Sequence, residues 1–452
     1  MTKTTPTNLP PTPPTKPILG NIHQLREQNI LLQMIEFWEN YGDLFALKLG
    51  SGYTYVLTHP DHLHHVLVTN QKNYPKGAGY DSLRLLIGNG LITNDGEPWR
   101  QQRRIMQPSF TPSSITQFTD MMSEITAKLL GRWHTAADKG TLITVDDEML
   151  RLTMSIISKA MFNIDLEEDL QEVGHALQEG FDFIAGRNAT PLRMPLSIPT
   201  AKNRRFKQAL DIIDSFIYER IAAGQQKQEA DDLLSILLQA KDEETGQTMN
   251  KQQLRDEAVT LFFAGFETTA RTLTWGWHLL TQHPEVMAKL EQEADEQLNG
   301  RLPTIGDLYN LTYTRMVTDE TLRLYPPTGL LGRQAVEEDV IGGYPIPAGS
   351  RIILIPHVTH RHPAIWENPA QFDPERFTAE KVKARPKSAY IPFANGPRVC
   401  IGNNFALMEM VIALSTIANR FRLERVTAAI PFEFHGTTRP TTKLQVKIHH
   451  RS

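Results

Sequence analysis

The longest helical pattern in this chain runs from about Lys251 to about Thr281. At ~1.5 Å per residue, one continuous helix of this length spans ~45 Å, long enough to cross the whole molecule. Its middle reads Ala264-Gly265-Phe266-Glu267-Thr268-Thr269, where a glycine and two β-branched threonines lower the helix propensity. Thr268 can donate a hydrogen bond to the carbonyl of Ala264 and loosen the helix there. The pattern is also typical of a helix–helix contact, where small residues allow close approach.

Shorter helical patterns fill the middle of the chain, and strand patterns lie towards both ends. The predicted helices cover residues 112–136, 146–163, 167–185, 202–223, 231–240 and 306–323. Residues 43–58 predict a hairpin that turns at Gly50-Ser-Gly52, and residues 334–356 and 441–449 predict further strands. We find no internal repeat and no linker after residue 20. The sequence therefore predicts one large, mainly α domain with small β-sheets.

Composition narrows the class of protein. The chain is 40% hydrophobic and 22% charged with a net charge of −4, which is typical of a soluble globular protein and implies no attraction to nucleic acid. No run of 18 apolar residues indicates a membrane span, and the N-terminus lacks the apolar core of a signal peptide. A single cysteine suits a reducing compartment. We therefore expect a cytoplasmic protein.

Residues 1–20 differ from the rest. They contain prolines at positions 10, 11, 13, 14 and 17, which favour an extended, polyproline-like conformation with few core-forming side chains. We expect residues 1–20 to form a proline-rich lead and residues 21–452 to form the folded domain.

Cys400 is the only cysteine, so it can form neither an intrachain disulfide nor a two-cysteine zinc site. Its thiol is a nucleophile, a redox sensor, a single thiolate ligand to a metal, or a small buried hydrophobe. Gly396 and Gly402 leave room for a flat group near the backbone, and Arg398 adds a positive charge. A helix predicted from Asn403 favours the thiolate through the positive end of its dipole.

Two further pairs have the spacing of helical neighbours. Glu320 and Arg323 lie three residues apart before Pro326, a spacing that normally indicates a solvated surface ion pair. Trp99 and Arg103 lie four apart, so that an indole N–H and a guanidinium share one face. Such a pair of donors fits a carboxylate, although a surface cation–π pair is equally common.

Together these segments resemble the cytochrome P450 family. The stretch around the cysteine reads Phe393-Ala-Asn-Gly396-Pro-Arg398-Val-Cys400-Ile-Gly402 and is similar to the family signature Phe-x-x-Gly-x-Arg-x-Cys-x-Gly. Ala394 departs from the family, which usually has Gly or Ser there. The other motifs follow in the family's order from Pro17 onward: a proline hinge, Trp-x-x-x-Arg, Ala-Gly-x-Glu-Thr, Glu-x-x-Arg and Pro-Glu-Arg-Phe.

This resemblance implies the cytochrome P450 fold, a haem b cofactor and a role for each matching residue. Cys400 would be the thiolate ligand of the iron, packed near Phe393. Thr268 would donate a hydrogen bond to dioxygen, Glu267 would relay protons, and Gly265 would lie against the haem face. The residues that would bind the haem propionates are Trp99, Arg103, Arg333 and Arg398. Glu320 and Arg323, with Arg376 of the Pro-Glu-Arg-Phe motif, would brace the cysteine loop as a buried group.

The implied reaction is monooxygenation: hydroxylation or epoxidation of an apolar substrate, such as a fatty acid or terpenoid, with O2. Because the sequence ends shortly after its last predicted strand, we expect a separate ferredoxin or flavodoxin with its reductase, and a monomer. Arg100, Arg104 and Lys387 could present a positive face to that carrier. The family's specificity segments fall at residues 74–92, 178–200, 328–332 and 434–439. The alternatives are a peroxide-driven or isomerising haem-thiolate enzyme, a non-catalytic haem sensor, and a haem-free helical protein.

Overall fold

The computed structural model of the protein describes residues 8–27, 29–50, 52–165, 168–188, 194–226 and 232–451. The chain is mainly helical with small sheets, as predicted. Residues 1–7 of the proline-rich lead and residues 189–193 of the second specificity segment lie outside the described residues. In the described part of the chain, we find no helix with the length and apolar character needed to cross a membrane.

The helices are α1 Gln24–Glu27, α2 Ile30–Tyr41, α3 Pro60–His64, α4 Asp81–Ile87, α5 Gly96–Met106, α6 Pro112–Ile115, α7 Thr119–Lys139, α8 Val145–Phe162, α9 Glu168–Asn188, α10 Ala201–Gly224, α11 Leu233–Gln239, α12 Lys251–Leu280, α13 Pro284–Leu298, α14 Ile305–Leu308, α15 Thr312–Leu324, α16 Pro356–Thr359, α17 Ala379–Ala384 and α18 Asn403–Ala418. The strands are β1 Leu44–Leu49, β2 Gly52–Leu57, β3 Ile143–Thr144, β4 Leu331–Gln334, β5 Asp339–Ile341, β6 Tyr344–Ile346, β7 Arg351–Leu354, β8 Phe421–Arg425, β9 Phe432–Phe434, β10 Thr438–Pro440 and β11 Gln445–His450.

The chain divides into two compact units. The sheet unit comprises Met1–Gly79, Asp319–Cys400 and Pro431–Thr442. Its four-stranded sheet has the order β1-β2-β7-β4, and β5-β6 and β9-β10 form two hairpins. The predicted hairpin over residues 43–58 is confirmed as β1 and β2, with Leu44 opposite Leu57.

The helical unit comprises Tyr80–Thr318, Ile401–Ile430 and Lys443–Ser452. Helix α12 is buried along most of its length and α8 packs along it, which confirms the long predicted helix as a central element of this unit. A capping box starts α12: Asn250 Oδ1 accepts the Gln253 N–H, and Gln253 Oε1 accepts the Asn250 N–H. A small sheet β3-β11-β8 belongs to the same unit.

The single helix predicted over residues 306–323 is wrong, because the chain forms α14 and α15 with a break between them. Asp307 turns back to accept the backbone N–H of Thr304, which caps the start of the first short helix. Glu293 of α13 accepts the N–H groups of Tyr313 and Thr314 and so starts the second. Glu293 lies about twenty residues before the helix that it caps, so helical periodicity in the sequence does not reveal this cap.

The described part of the proline-rich lead attaches to β1 through its backbone. The Ala46 N–H donates to the carbonyl of Pro11 (2.9 Å). Directly after the lead, the Asn21 N–H donates to the carbonyl of Lys48 (2.9 Å). The division into a lead of residues 1–20 and a domain of residues 21–452 stays a prediction.

Candidate active site

The cysteine loop, residues 391–400 of the sheet unit, is closed by its own backbone. The Cys400 N–H donates to the carbonyl of Phe393 (2.9 Å), and the Val399 N–H donates to the carbonyl of Gly396 (3.1 Å). These bonds return Cys400 to the side of Phe393. The Cys400 side chain is exposed, so the interpretation as a small buried hydrophobe is wrong and the thiol is accessible to a ligand.

Gly396 is required in this loop by two independent features. Its φ of +71° lies in the left-handed region, which L-residues avoid. A Cβ at this position would also lie 2.1 Å from the carbonyl oxygen of Leu67. Ala394 adopts φ +60° without being a glycine, at a cost of ~1–2 kcal/mol. The position at which this chain departs from the P450 signature is therefore one that favours glycine.

Glu320 and Arg323 form a buried ion pair, so the surface interpretation of this spacing is wrong. Arg323 donates from Nε to Glu320 Oε2 (2.6 Å) and from Nη2 to Oε1 (2.8 Å), and neither side chain is exposed. Arg376 approaches the same carboxylate at 3.4 Å, and the Asp373 N–H donates to it at 2.9 Å. Burial raises the pKa of Glu320, and the two guanidinium groups and the hydrogen bonds oppose that rise.

Arg323 is connected to the cysteine loop through His360, a residue that the sequence analysis missed. His360 Nε2 accepts the N–H of Ile391 (2.9 Å), while Nδ1 lies 3.3 Å from the carbonyl of Arg323. An Nε2 that accepts leaves the hydrogen on Nδ1, so the ring donates to Arg323 and is neutral. Burial, together with the charges of Arg323 and Arg361, lowers the pKa of His360 to about 3. No periodic pattern in the sequence pointed to this side chain.

In the helical unit, α12 carries the Ala-Gly-x-Glu-Thr segment. Thr268 Oγ1 donates to the carbonyl of Ala264 at 2.6 Å, which confirms the hydrogen bond predicted from the sequence. Glu267 is buried and accepts from Nε of Arg271, one turn later, at 3.2 Å. A Cβ at Gly265 would lie 2.8 Å from Cδ1 of Ile157 in α8. The prediction of a close helix–helix contact is therefore confirmed at Gly265.

Comparison with known proteins decides the family. The family model described as Cytochrome P450 matches residues 10–448. This chain belongs to the cytochrome P450 family. It is 36% identical over 92% of its length to cyclooctat-9-en-7-ol 5-monooxygenase of Streptomyces melanosporofaciens, covering 89% of that protein. It is 31% identical to pentalenene oxygenase of Streptomyces avermitilis, with 91% of this chain and 90% of that protein covered.

A solved structure agrees with the sequence relatives. The crystal structure of the cytochrome P450DA heme domain matches this P450 with a TM-score of 0.91 and 28% identity, over 98% of this chain and 97% of that chain. The P450 fold predicted from the sequence is thereby confirmed. This P450 is a monooxygenase, an oxidoreductase that incorporates one oxygen atom, and its family implies a haem cofactor.

The residues around Cys400 fit a haem. An exposed thiol is the donor that a haem-thiolate centre requires. Two positions further along the chain, a Cβ at Gly402 would meet no atom within 4 Å, so the backbone there leaves room for a flat group. Helix α18 begins at Asn403, as predicted, with Gly402 as its N-cap residue.

The predicted propionate ligands lie on different elements. In the helical unit, Trp99 and Arg103 share α5, and Trp99 is buried. In the sheet unit, Arg398 ends the short 3₁₀ turn Gly396–Arg398 next to the cysteine. Arg333 lies on β4, is buried, and donates to the carbonyl of Gly332. Their roles as propionate ligands stay predictions.

The predicted positive face for a redox partner needs correction at Arg104. Its guanidinium makes two hydrogen bonds to Asp242, at 2.9 and 3.1 Å, and lies 3.1 Å from Glu244. Arg100 likewise donates to Glu97 at 2.9 Å. These carboxylates neutralise both arginines, and Arg104 lowers the pKa of Asp242 well below its ordinary value. Arg104 thus holds the segment around Asp242 in place within the helical unit.

Proposed function

We propose that this P450 uses haem b to hydroxylate or epoxidise a terpenoid with O2 and with electrons from a separate ferredoxin or flavodoxin. The observation that carries the oxygen-activation part of the proposal lies on α12, where the Thr268 hydroxyl donates to the carbonyl of Ala264 at 2.6 Å. The names of the relatives support the substrate class: a cyclooctat-9-en-7-ol 5-monooxygenase, a cyclooctatin synthase and a pentalenene oxygenase.

Each site residue has a proposed role. The Cys400 thiolate binds the iron, and the haem supplies the oxygen-activating chemistry when it is bound. Phe393 packs near the sulfur. The backbone of Gly265, whose absent Cβ would face Ile157 of α8, is the part proposed to lie against the haem face. The side chains proposed to bind the propionates are Trp99, Arg103, Arg333 and Arg398.

Thr268 and Glu267 are proposed to deliver protons. The Thr268 hydroxyl has one hydrogen, which it donates to Ala264 in this structure, so its oxygen lone pairs can accept a hydrogen bond from a water. Rotation of the hydroxyl about the Cβ–Oγ1 bond would redirect that hydrogen for donation to dioxygen. Glu267, the residue before Thr268 on α12, is buried and paired with Arg271, and it is the carboxylate proposed to supply protons.

Apolar side chains on the helical unit suit a hydrocarbon substrate. Phe263, which precedes Ala264 on α12, stacks on Phe181 of α9 with ring planes 14° apart. Leu86 of α4 occupies the space in which a Cβ of Gly180 would lie. Phe181 and Leu86 belong to the segments expected to set specificity, and apolar side chains there would suit a terpenoid or a fatty acid.

Thiolate ligation is tested by the spectrum of the reduced, carbon monoxide-bound protein. We expect a red-shifted Soret band in the wild type and its loss in Cys400→Ala. A wild-type protein without that band would refute haem-thiolate ligation and would favour a haem-free helical protein.

The role of Thr268 is tested by coupling. With dioxygen, a reductase and a ferredoxin, Thr268→Ala should consume dioxygen but release peroxide in place of most of the product. The matched control is Thr272→Ala, because Thr272 makes the same hydrogen bond one turn later, to the carbonyl of Thr268. Unchanged product yield in Thr268→Ala would favour the peroxide-driven or isomerising alternative, and a wild type without any product would favour a haem sensor.

The substrate class is tested by binding. We expect cyclic terpenes and terpene alcohols to shift the haem spin state at lower concentrations than fatty acids of equal carbon number. Tighter binding of the fatty acids would refute the terpenoid assignment and leave the monooxygenase assignment intact.

A further inference from the structure

Three side chains outside the haem site bring ligand atoms together within the sheet unit. Asp43, His59 and His362 each offer one such atom, and all three atoms lie within 4.8 Å of one another. Among the residues that the structure describes, only this set brings three metal-ligating side chains so close together. None of them belongs to a P450 motif identified in the sequence.

Each of the three comes from a different segment, and each segment is held by its own structure. Asp43 follows Gly42, whose φ of +82° ends α2. His59 is the N-cap residue of α3, and its Nδ1 accepts the Asp61 N–H. His362 lies in the turn after α16, where its Nδ1 accepts the Ala364 N–H. The tertiary fold therefore brings the three side chains together, and no movement of a flexible segment is needed.

The distances suit a tetrahedral ion. His362 Nε2 lies 3.0 Å from Asp43 Oδ1, and His59 and His362 meet edge to face, with ring centroids 5.6 Å apart. Around Zn²⁺ with ligands at ~2.0–2.1 Å, neighbouring ligand atoms lie about 3.3 Å apart. Small side-chain rotations would bring separations of up to 4.8 Å to this value.

The surroundings orient the carboxylate and leave the cluster open to an ion. Trp38 Nε1 donates to Asp43 Oδ1 at 2.7 Å, and the Thr58 hydroxyl donates to the same oxygen at 3.2 Å. Such outer hydrogen bonds fix the direction of a ligating carboxylate. About one third of the side-chain surface of Asp43 and of His59 is exposed, whereas His362 is largely buried. Asp43 and His59 are therefore accessible to solvent.

We propose that Asp43, His59 and His362 form a binding site for Zn²⁺ or a similar divalent transition-metal ion, with water completing the coordination. Two imidazoles and one carboxylate are ligands that such ions bind well. Coordination through Nε2 of His362 moves the ring hydrogen to Nδ1, which gives up the contact with the Ala364 N–H. His59 has the same cost, because its Nδ1 accepts the Asp61 N–H and coordination through either ring nitrogen removes that hydrogen bond. These local costs weaken the binding of the ion and keep it exchangeable.

A second histidine cluster provides a comparison. In the helical unit, His134 Nδ1 and His450 Nδ1 lie 3.3 Å apart, and His450 Nε2 lies 2.8 Å from Asp138. Because Asp138 contacts the opposite nitrogen of His450, it cannot join the two Nδ1 atoms as a third ligand. This exposed pair offers two ligands where the sheet-unit cluster offers three.

The experiment uses the haem-loaded full-length protein, freed of adventitious metal with a chelator that is then removed. Isothermal titration with ZnCl2 measures affinity and stoichiometry, and far-UV circular dichroism measures the melting temperature. We expect one site of micromolar affinity and a melting temperature that rises with Zn²⁺ concentration, because the ion binds only the folded state.

Three variants decide whether the ion binds at this cluster. His59→Asn keeps a good N-cap residue while removing an imidazole, and His362→Asn keeps a donor for Asp43; each should weaken Zn²⁺ binding at least tenfold. His450→Asn should leave the affinity unchanged. A wild type that binds no Zn²⁺, unchanged affinity in His59→Asn, or loss only in His450→Asn would each overturn the proposal. The readout does not depend on catalysis, so failure of the proposed function leaves this test intact.

Discussion

Replacing Gly396 by alanine tests how the cysteine loop is held. The new Cβ would lie 2.1 Å from the carbonyl oxygen of Leu67, and the backbone would stay at φ +71°. The neighbouring atom is backbone, so it cannot rotate away as a side chain can. Either the loop or the segment around Leu67 has to move.

The expected loss of stability is the sum of three terms. A left-handed L-residue costs ~1–2 kcal/mol, and the lower entropy of the unfolded chain returns ~0.4–1 kcal/mol. Forcing an extra methyl group into a packed site costs ~1–3 kcal/mol. The sum predicts that Gly396→Ala lowers the free energy of unfolding by about 3 kcal/mol.

Gly349→Ala is the matched control. Gly349 has φ +79° and belongs to the same unit, but a Cβ there would meet no atom within 4 Å. This variant introduces an alanine at positive φ without a steric clash. We therefore expect it to lower the free energy of unfolding by about 1 kcal/mol. The difference between the two variants isolates the contact with Leu67.

The assay is urea denaturation followed by far-UV circular dichroism, with the reduced, carbon monoxide-bound spectrum as a second readout. We expect a lower midpoint for Gly396→Ala than for Gly349→Ala, and a weaker thiolate band in Gly396→Ala alone, because a displaced Gly396 moves Val399 and Cys400. Equal midpoints and equal spectra would refute the argument that this close approach fixes the loop.

Three further predictions concern groups around the loop and the helical unit. Glu320→Gln leaves the buried Arg323 without its carboxylate and should destabilise the protein by ~3–5 kcal/mol, measured as a lower urea midpoint; an effect below 1 kcal/mol would contradict a buried pair. The pKa of His360 is lowered to about 3 in the folded state. The contribution of the neutral ring to the free energy of unfolding is therefore complete above pH ~6.5 and is lost as pH falls towards 3. Stability should thus fall by ~2 kcal/mol between pH 6.5 and 5, and less steeply in His360→Gln; parallel pH curves would count against this. Arg104→Ala should lower the melting temperature by releasing Asp242 and leave the rate of reduction by a ferredoxin unchanged; slower reduction with unaltered melting would restore Arg104 as a docking residue.

The sequence predicted what local patterns and short motifs encode. The long helix α12, with its hydrogen bond from Thr268 to Ala264, follows from apolar periodicity and from a side chain that reaches four residues back. The hairpin β1–β2 follows from alternation around a glycine turn. The helix that begins after Cys400 was also found at its predicted start.

Contacts between distant segments were decided only by the tertiary structure. The spacing of Glu320 and Arg323 is the same in a surface pair and in a buried one, and only the packing of residues 360–376 around them removes water. From the sequence, Arg104 is a candidate docking residue. The fold places Asp242, 138 residues away, beside it as a hydrogen-bond partner. His362 and Asp43 lie 319 positions apart, so no local pattern could bring them together. Periodicity reports which face of an element is apolar; which charges and imidazoles meet depends on how the folded elements pack.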